Sequence, residues 1–491
     1  MDRPIKDFLQ SYPRQLLRAL AETALERGET FYIAGGTVRD WLLSKESKDL
    51  DITVAANGFG WAHSLAGRLG GTFVGMNTAE DVARVVWQGI TIDFSGFREG
   101  ARTIDGDLAK RDITINGLAI RVGPGGGGEP GLRLRGSIID PTNGLEDLKR
   151  RTIRCTSSAV FSSDPLRLLR AYRFMACLQF SIEQQTAEAI RLQAGLIQQV
   201  AAERIAGELG LIMASGQAFN AIKGMYGSNL LGELFPELTK GVGMDQPASH
   251  HLDVFEHSLA TLGWMEKILH QPGRYFPGHD DEMARYLSEN KRTIRLNWAA
   301  LFHDLGKPST YCRREDKDGR ITFYNHDMAG ADLFRTIADR LKWGRDDAKQ
   351  VSRLIELHMW PFHLNNVRQQ TGLTPRAALR LVKAAGPELH GLFMLAMADT
   401  LAGRGDGRPQ DMEENIAVLY EELCRVFRQS IKPVLEKPRL LTGNDLQELF
   451  SLDPGPIFRT ILDGLQQAQV ADEVHSRADA IEWVRAFIQQ G

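Results

Sequence analysis

The sequence predicts an α+β protein of two textures: a head with a small mixed β-sheet, followed by an elongated all-α body. Three observations carry that expectation. Short β-rich runs separated by turn signals crowd residues 31–122, whereas Leu, Ala, Arg and Glu at helical spacing dominate from about residue 156 onward. At 491 residues the chain also exceeds one ordinary core, and roughly three or four units are expected.

The elements follow in order. Residues 1–30 read as helical, with Leu16, Leu17, Leu20 and Leu25 near helical spacing and Gly28 as the stop. Strand-like runs are FYIAGG at 31–36, DLDITVA at 49–55, ARVVWQG at 83–89, ITIDFSGF at 90–97 and INGLAIRV at 115–122. GPGGGGEPG at 123–131 reads as a flexible hairpin loop; no helix follows it and no Lys-Ser/Thr closes it, which excludes a phosphate loop. The helical texture is broken by loops near 240–250, 272–282, 315–325 and 403–409, and no repeat of fixed period is present.

With 43% hydrophobic and 25% charged residues the composition is that of a soluble globular protein. A net charge of −3 decides nothing about nucleic acid, because a binding surface needs local charge. Four scattered cysteines without a CxxC pair suit a reducing cytoplasm and speak against a thiolate zinc site. No run reaches the ~20 apolar residues of a membrane span, and MDRPIKDFLQ lacks the apolar core of a signal peptide. A cytoplasmic location with no membrane partner is expected.

Chemistry concentrates in the head. GGTVRD at 35–40 follows an apolar strand, where Gly35 and Gly36 let backbone N–H groups approach a phosphate and Arg39 adds charge. Asp49 and Asp51 then stand at i and i+2 on the next strand, on one face. Paired hard oxygen ligands suit Mg²⁺ and substrate phosphates, and two such ions fit phosphoryl transfer; Asp93 is a candidate third carboxylate. Either element alone equally reads as a glycine turn and a solvated acidic pair. Their order and spacing give them weight.

Further motifs follow: Lys110-Arg111-Asp112 leading to Asn116, Asp140 to Leu148, Ser163-Asp164-Pro-Leu-Arg167 continuing through Arg170 and Arg173, and Glu203-Arg204 to Glu208. Together with GGTVRD and DLD, this series resembles the ordered motifs of bacterial tRNA nucleotidyltransferases (CCA-adding) and the related poly(A) polymerases, over about 30–210. The resemblance implies a nucleotidyltransferase head. In it Asp49 and Asp51 bind the metal and catalyse, and Gly35, Gly36 and Arg39 contact the triphosphate. Arg111, Asp112 and Asn116 recognise ribose and phosphate, and Asp164 and Arg167, with Arg170 beside them, form a protein template for the base. The chemistry agrees, because an Asp accepts from an exocyclic amino group and an Arg donates to a ring acceptor, a pairing that C and A share.

Two departures are visible. Ser163 stands where the family template opens with Glu, the residue expected to orient the Arg, and Lys110 replaces a more usual Arg. The stretch between Phe97 and Lys110 is also short for the loop that full CCA-adding members use in switching to ATP. Between Asp147 and Cys177 seven basic residues face two acidic ones, a patch expected to meet RNA phosphates.

The body carries a second constellation: His257, then His303-Asp304, then Asp399. This order resembles the HD phosphohydrolase superfamily over roughly 246–405. His326 and His358, with His363 a further candidate, are expected to complete a binuclear version holding a transition metal (Mn, Ni, Fe, Co or Zn). Lys307 is a candidate phosphate contact. The expected division is 1–155 head, 156–245 helical neck for base recognition and RNA binding, 246–405 HD-type domain and 406–491 C-terminal helical region.

The function implied is template-independent addition of C and A from CTP and ATP to the 3′ end of tRNA. Narrower alternatives are CC-adding-only, A-adding-only and poly(A) polymerase activity. An alternative of another class is an HD metal phosphohydrolase with a non-catalytic RNA-binding head; the intact Asp pair weighs against it.

Overall fold

The computed structural model describes residues 8–45, 49–124, 132–247, 251–289, 291–315 and 319–490. The chain divides into two compact units, Met1–Ile212 with Gly224–Leu234 and Met213–Lys223 with Phe235–Gly491.

In the first unit the first α-helix among the described residues runs Arg14–Arg27, after a 3₁₀ turn at Leu9–Ser11; residues 1–7 of the expected helical stretch lie outside the described residues. Leu16 and Leu20 point into the core while Leu25 is half exposed. Gly28 ends the helix at φ 65°, a left-handed conformation that glycine adopts without steric cost. Seven strands follow: β1 (Phe31–Ala34), β2 (Asp49–Thr53), β3 (Thr72–Asn77), β4 (Val82–Trp87), β5 (Ile90–Ser95), β6 (Ala119–Pro124) and β7 (Leu132–Ile139). They form one sheet in the order β3-β4-β5-β2-β1-β6-β7. The β2–β5 pair is parallel, and the other neighbours are antiparallel.

Two departures from the sequence reading have simple causes. β3 went unforeseen because this edge strand is largely exposed and lacks apolar alternation. INGLAIRV opens instead with a 3₁₀ turn, Thr114–Asn116, so the strand starts only at Ala119. Residues 125–131 of the glycine-rich stretch lie outside the described residues, while Pro124 and Leu132 pair across its base as in a hairpin.

The strand alternation places the chemistry. In β2, Leu50 and Ile52 are buried on one face, which turns Asp49 and Asp51 to the other. Trp61, from the helix Gly58–Leu69, packs against Phe31 and Phe94 at ring distances of 5.7 and 6.4 Å. Each such buried aromatic contributes about 1.5–3 kcal/mol, so the core fixes the register of the strands that carry carboxylates.

The second unit is helical, and the expected C-terminal helical region includes helices at Gly443–Phe450 and Arg477–Gln490. A capping box between Thr442 and Asp445 starts the former. The all-α expectation needs two small corrections. Cys312–Arg314, just before the expected 315–325 loop, and Arg320–Thr322, inside it, pair as an antiparallel ribbon. In the first unit Thr152–Ile153 pairs in parallel with Ser181–Ile182. Among the described residues no helix is long and apolar enough to cross a membrane.

Candidate functional sites

The head holds a cavity of about 350 Å³ whose lining includes Gly35, Gly36, Asp51, Asp93, Arg111, Asp112, Asn116, Asp164, Arg167 and Arg170. Residues separated by some 130 positions in sequence thus share one space. Its floor is built locally. Gly35 sits at φ 74° and ψ −134°, and a Cβ there would come within 2.3 Å of an Arg111 guanidinium nitrogen. Only glycine satisfies both conditions. Thr37, buried in the next turn, donates its hydroxyl to the Asp49 carbonyl and accepts the Asp51 N–H at 2.8 Å, tying the glycine turn to β2.

Asp51 and Asp93 are direct register partners across the parallel β2–β5 pair. Burial raises the Asp51 carboxyl above its ordinary value; Arg111 opposes this and Asp93 adds to it. A carboxylate held in a pocket beside another carboxylate is under-neutralised by its protein neighbours, so the donor set fits a divalent cation. Asp93 is held in plane by Arg84 through two bonds of 2.7 and 2.9 Å. Asp49, expected beside Asp51, is more exposed and is absent from the cavity lining.

Arg39 also differs from expectation. It is mostly buried, bonds Asp40 at 2.8 Å and donates to the Asn116 side-chain oxygen at 2.6 Å. It is absent from the lining and supports Asn116 from behind. Arg111 is buried but reaches the cavity wall, bonded to Thr53, Asp107 and the Asn116 carbonyl. Burial, with Arg98 nearby, lowers its guanidinium to about 10. Burial alone would raise Asp112. The Arg170 guanidinium, at 2.9 and 2.6 Å, and the Asn116 amide outweigh it and hold the carboxyl well below the usual range.

The departure at Ser163 has a structural answer. Its hydroxyl accepts an Arg167 N–H at 3.2 Å, and the Lys110 carbonyl accepts another at 3.2 Å. A serine therefore still orients the Arg, with a neutral partner. Asp164 receives Arg204 from the Glu203–Glu208 motif at 3.2 Å.

The basic patch expected at 147–177 is largely spent internally. Arg154 is paired with Asp147 and Glu183, Arg170 with Asp112, Arg173 with Glu208, and Arg150 with Glu146. A count along the sequence cannot see these partners.

Two residues missed by the sequence reading matter here. Arg98 lines the cavity, and the buried Asp107 receives both its backbone N–H and its guanidinium. The short 97–110 stretch, expected as a loop, is pinned in this way and contains a helix at Ile104–Leu108. An Arg directly after a strand was the available signal.

In the second unit the HD residues converge. Two donor sets form, His257–His303–Asp399 and Asp304–His326–His358. Asp304 belongs to both: Oδ2 lies 3.1 Å from His303 Nε2 and 3.6 Å from His257 Nε2, while Oδ1 lies 3.4 Å from His326 Nε2 and 3.8 Å from His358 Nε2. Asp399 completes the first set at 2.9 Å from His257.

The tautomers are set by the helices. His303, His326 and His358 each direct Nδ1 to the carbonyl three residues back, at 2.9, 2.7 and 2.7 Å. Donation there leaves the Nε2 lone pairs facing inward. His326 and His358 then oppose each other Nε2 to Nε2 at 3.1 Å. Burial, then the other imidazoles, lower His358 to about 3, so it supplies no second proton. Two nitrogens this close need a proton or a cation between them, and two imidazole ligands each about 2.1 Å from one ion lie about 3 to 3.5 Å apart. The set fits a transition metal.

The backbone permits this closeness. A Cβ on Gly306 would come within 2.1 Å of the His326 carbonyl oxygen, so the HD segment packs against the helix His326–Arg340 only as glycine. Lys307, expected to meet a phosphate, lies 2.6 Å from Asp304 Oδ2 in a buried contact and donates to Gln246 at 2.7 Å in a part-buried one. His363 joins neither donor set but lines the adjoining cavity of about 720 Å³ with Asp304, Lys307, His326, Asp399 and Arg408.

A mixed sheet with a glycine turn over β-strand carboxylates defines a nucleotidyltransferase head, and the imidazole–carboxylate cluster defines an HD domain. Known proteins agree. A family model described as the poly A polymerase head domain matches residues 31–154, one described as a probable RNA and SrmB-binding site of polymerase A matches 179–241, and the HD domain matches 254–401. An A-adding tRNA nucleotidyltransferase of Deinococcus radiodurans is 32% identical, with 93% of this chain and 94% of that protein covered. A CC-adding tRNA nucleotidyltransferase of Geobacter sulfurreducens is 30% identical, with 98% and 96% covered. A solved CCA-adding enzyme in complex with ATP shares the fold at a TM-score of 0.66 and 20% identity, covering 99% of this chain and 97% of that one. The chain belongs to the tRNA nucleotidyltransferase family.

Proposed function

We propose that this chain adds C and A from CTP and ATP, without a nucleic-acid template, to the 3′ end of tRNA, building or repairing the CCA terminus. The single observation carrying this reading is that Asp51, Asp93, Asp164 and Arg167 line one cavity, a carboxylate end for the phosphates and an Asp/Arg end for a base.

Asp49 and Asp51 would hold Mg²⁺, which when bound supplies charge neutralisation at the triphosphate. The tRNA 3′-hydroxyl attacks the α-phosphate of the nucleotide and pyrophosphate leaves. Gly35 and Gly36 admit the triphosphate to the backbone, and Arg111, Asp112 and Asn116 set ribose and phosphate. Asp164 accepts the amino group of C or A, and Arg167, steadied by Ser163, donates to the ring acceptor. We assign the head to 1–155, the neck to 156–245, the HD domain to 246–405 and the C-terminal helices to 406–491. In the HD domain His257, His303, Asp304 and Asp399, with His326 and His358, would hold a transition metal for phosphohydrolase chemistry, with nucleotide-end phosphoesters the substrate class.

A second, narrower reading has a specific observation behind it. The A-adding and CC-adding relatives match over 93% and 98% of this chain, whereas a multifunctional CCA protein of Actinobacillus pleuropneumoniae matches over 76%. A specialist that adds only C residues or only the terminal A, with a second enzyme completing the end, fits that pattern.

Extension of labelled tRNA lacking CCA, or lacking only the final A, with CTP, ATP or both, separates these readings. Three additions to the first substrate establish the complete activity. Arrest after two cytidines, or addition solely to the CC-ended substrate, establishes a specialist. Unlimited ATP-only extension replaces the proposal by a poly(A) polymerase, and no addition at all overturns it.

A further inference from the structure

Away from both sites, in the second unit, His279, Glu282 and Cys424 each bring a donor atom within 4.8 Å of the other two. His279 caps the helix Asp280–Leu287, and Cys424 lies near the end of the helix Met412–Val426. Against the expectation from the scattered cysteines, we propose that this is a further metal site, taking one borderline-soft divalent cation of the Zn²⁺ class through His279 Nδ1, the Glu282 carboxylate and the Cys424 thiolate.

The hydrogen bonding prepares the imidazole for that role. His279 Nε2 lies 2.6 Å from Glu421 Oε2, and Nδ1 lies 3.1 Å from Glu282 Oε2. With Nε2–H donating to Glu421, the arrangement is the carboxylate–histidine pairing that orients metal ligands, and it leaves Nδ1 with a lone pair. That lone pair faces the Glu282 carboxylate, and two acceptors at 3.1 Å require a cation or a proton between them. A doubly protonated imidazolium between two glutamates would satisfy the nitrogens. It gives no reason for a buried thiol at the third corner, whereas mixed N, O and S donors are a ligand set that Zn²⁺ accepts.

Three surroundings point the same way. The His279 and Cys424 side chains are buried while Glu282 is partly open, which leaves an entry path. The adjoining cavity of about 390 Å³ is lined by His279, Asp280, Asp281 and Glu282 together with Arg285 and Arg428, which gives an ion access to the cluster from solvent. Beyond Cys424 the α-helix ends at Val426 and passes into a π-helical turn, Phe427–Ile431, a local distortion common at functional sites. Tyr420, whose ring lies 4.8 Å from that of His279, braces the site by a 2.6 Å bond to His390. On binding, the Cys424 S–H bond breaks, the proton passes to solvent and the sulfur pair goes to the ion.

Co²⁺ distinguishes this site from the other two, whose donors include no sulfur. Full-length protein freed of metal by chelator is titrated with Co²⁺ and followed for the near-ultraviolet thiolate-to-cobalt charge-transfer band. The expected result is a saturable band that Zn²⁺ abolishes, that is lost in both Cys424→Ser and His279→Gln, and that persists in Asp304→Ala. Thermal melts with and without Zn²⁺ show whether each variant is folded, and nucleotide addition by Cys424→Ser is expected to be unchanged. Absence of the band in the native chain, or its persistence in folded Cys424→Ser, overturns the proposal; should Cys424→Ser fail to fold, persistence in His279→Gln does so.

Discussion

The head cavity and the HD cluster are both built to neutralise charge, yet they are built in opposite ways. The head uses carboxylates on adjacent strands, set by strand alternation and exposed to a 350 Å³ cavity. The HD cluster uses imidazoles and carboxylates from separate helices, with His257, His303 and His358 almost wholly buried. Hard, open, one-sided ligation suits an ion that arrives with a triphosphate. Nitrogen-rich ligation gathered from several helices suits a resident ion. Where ligands come from strand neighbours, short motifs reveal them; where they come from several helices, the site exists only after packing.

That contrast can be broken experimentally. Asp51→Ala should lower nucleotide addition by about 10³-fold or more, the equivalent of several kcal/mol of lost charge stabilisation, while leaving HD-bound metal unchanged. Extension kinetics and metal analysis on one preparation test both halves, and loss of HD metal would sink the independence of the sites. Asp304→Asn should strip the HD cluster of metal while addition proceeds, because Asp304 faces both donor sets. His358→Ala should remove only the ion on its own side; elemental analysis showing equal loss in the two variants would contradict a binuclear site.

Smaller effects sharpen the account of the head. Ser163→Ala removes one neutral acceptor from Arg167, worth about 0.5–1.5 kcal/mol. A roughly 2- to 10-fold rise in UTP or GTP misincorporation is expected, measured by competing nucleotides, and Ser163→Glu should retain selectivity. Asp112→Asn should destabilise the head with a defined pH dependence. The folded carboxyl lies below its ordinary value, so the native stabilisation is full above about pH 4 and fades as pH falls through the folded value. Denaturation midpoints of variant and native protein should differ at pH 7 and converge in acid; a constant gap would mean that Asp112 acts through packing.

Much was legible beforehand. GGTVRD, DLD and the Lys110–Asn116 block were visible because each is a turn or strand end whose residues lie next to one another in the chain. His257, His303-Asp304 and Asp399 were visible through their order, though not their geometry. Arg39 read as a phosphate contact because its charge is evident in sequence, whereas its bonds to Asp40 and Asn116 are not. The basic stretch at 147–177 carries less free charge than its count suggests for the same reason, since its partners Glu183, Glu208 and Asp112 lie elsewhere in the chain.

By itself the sequence determined the two textures, the strand that presents Asp49 and Asp51, the glycines that only a close approach explains, and the family. Periodicity and backbone freedom are local properties, so local sequence specifies them. Tertiary structure alone decided that Asp93 faces Asp51, that Ser163 steadies Arg167, that Asp304 serves both imidazole pairs, and that His279 and Cys424 meet. Each of those is a distance between segments brought together by burial of apolar surface, and no spacing along the chain encodes it.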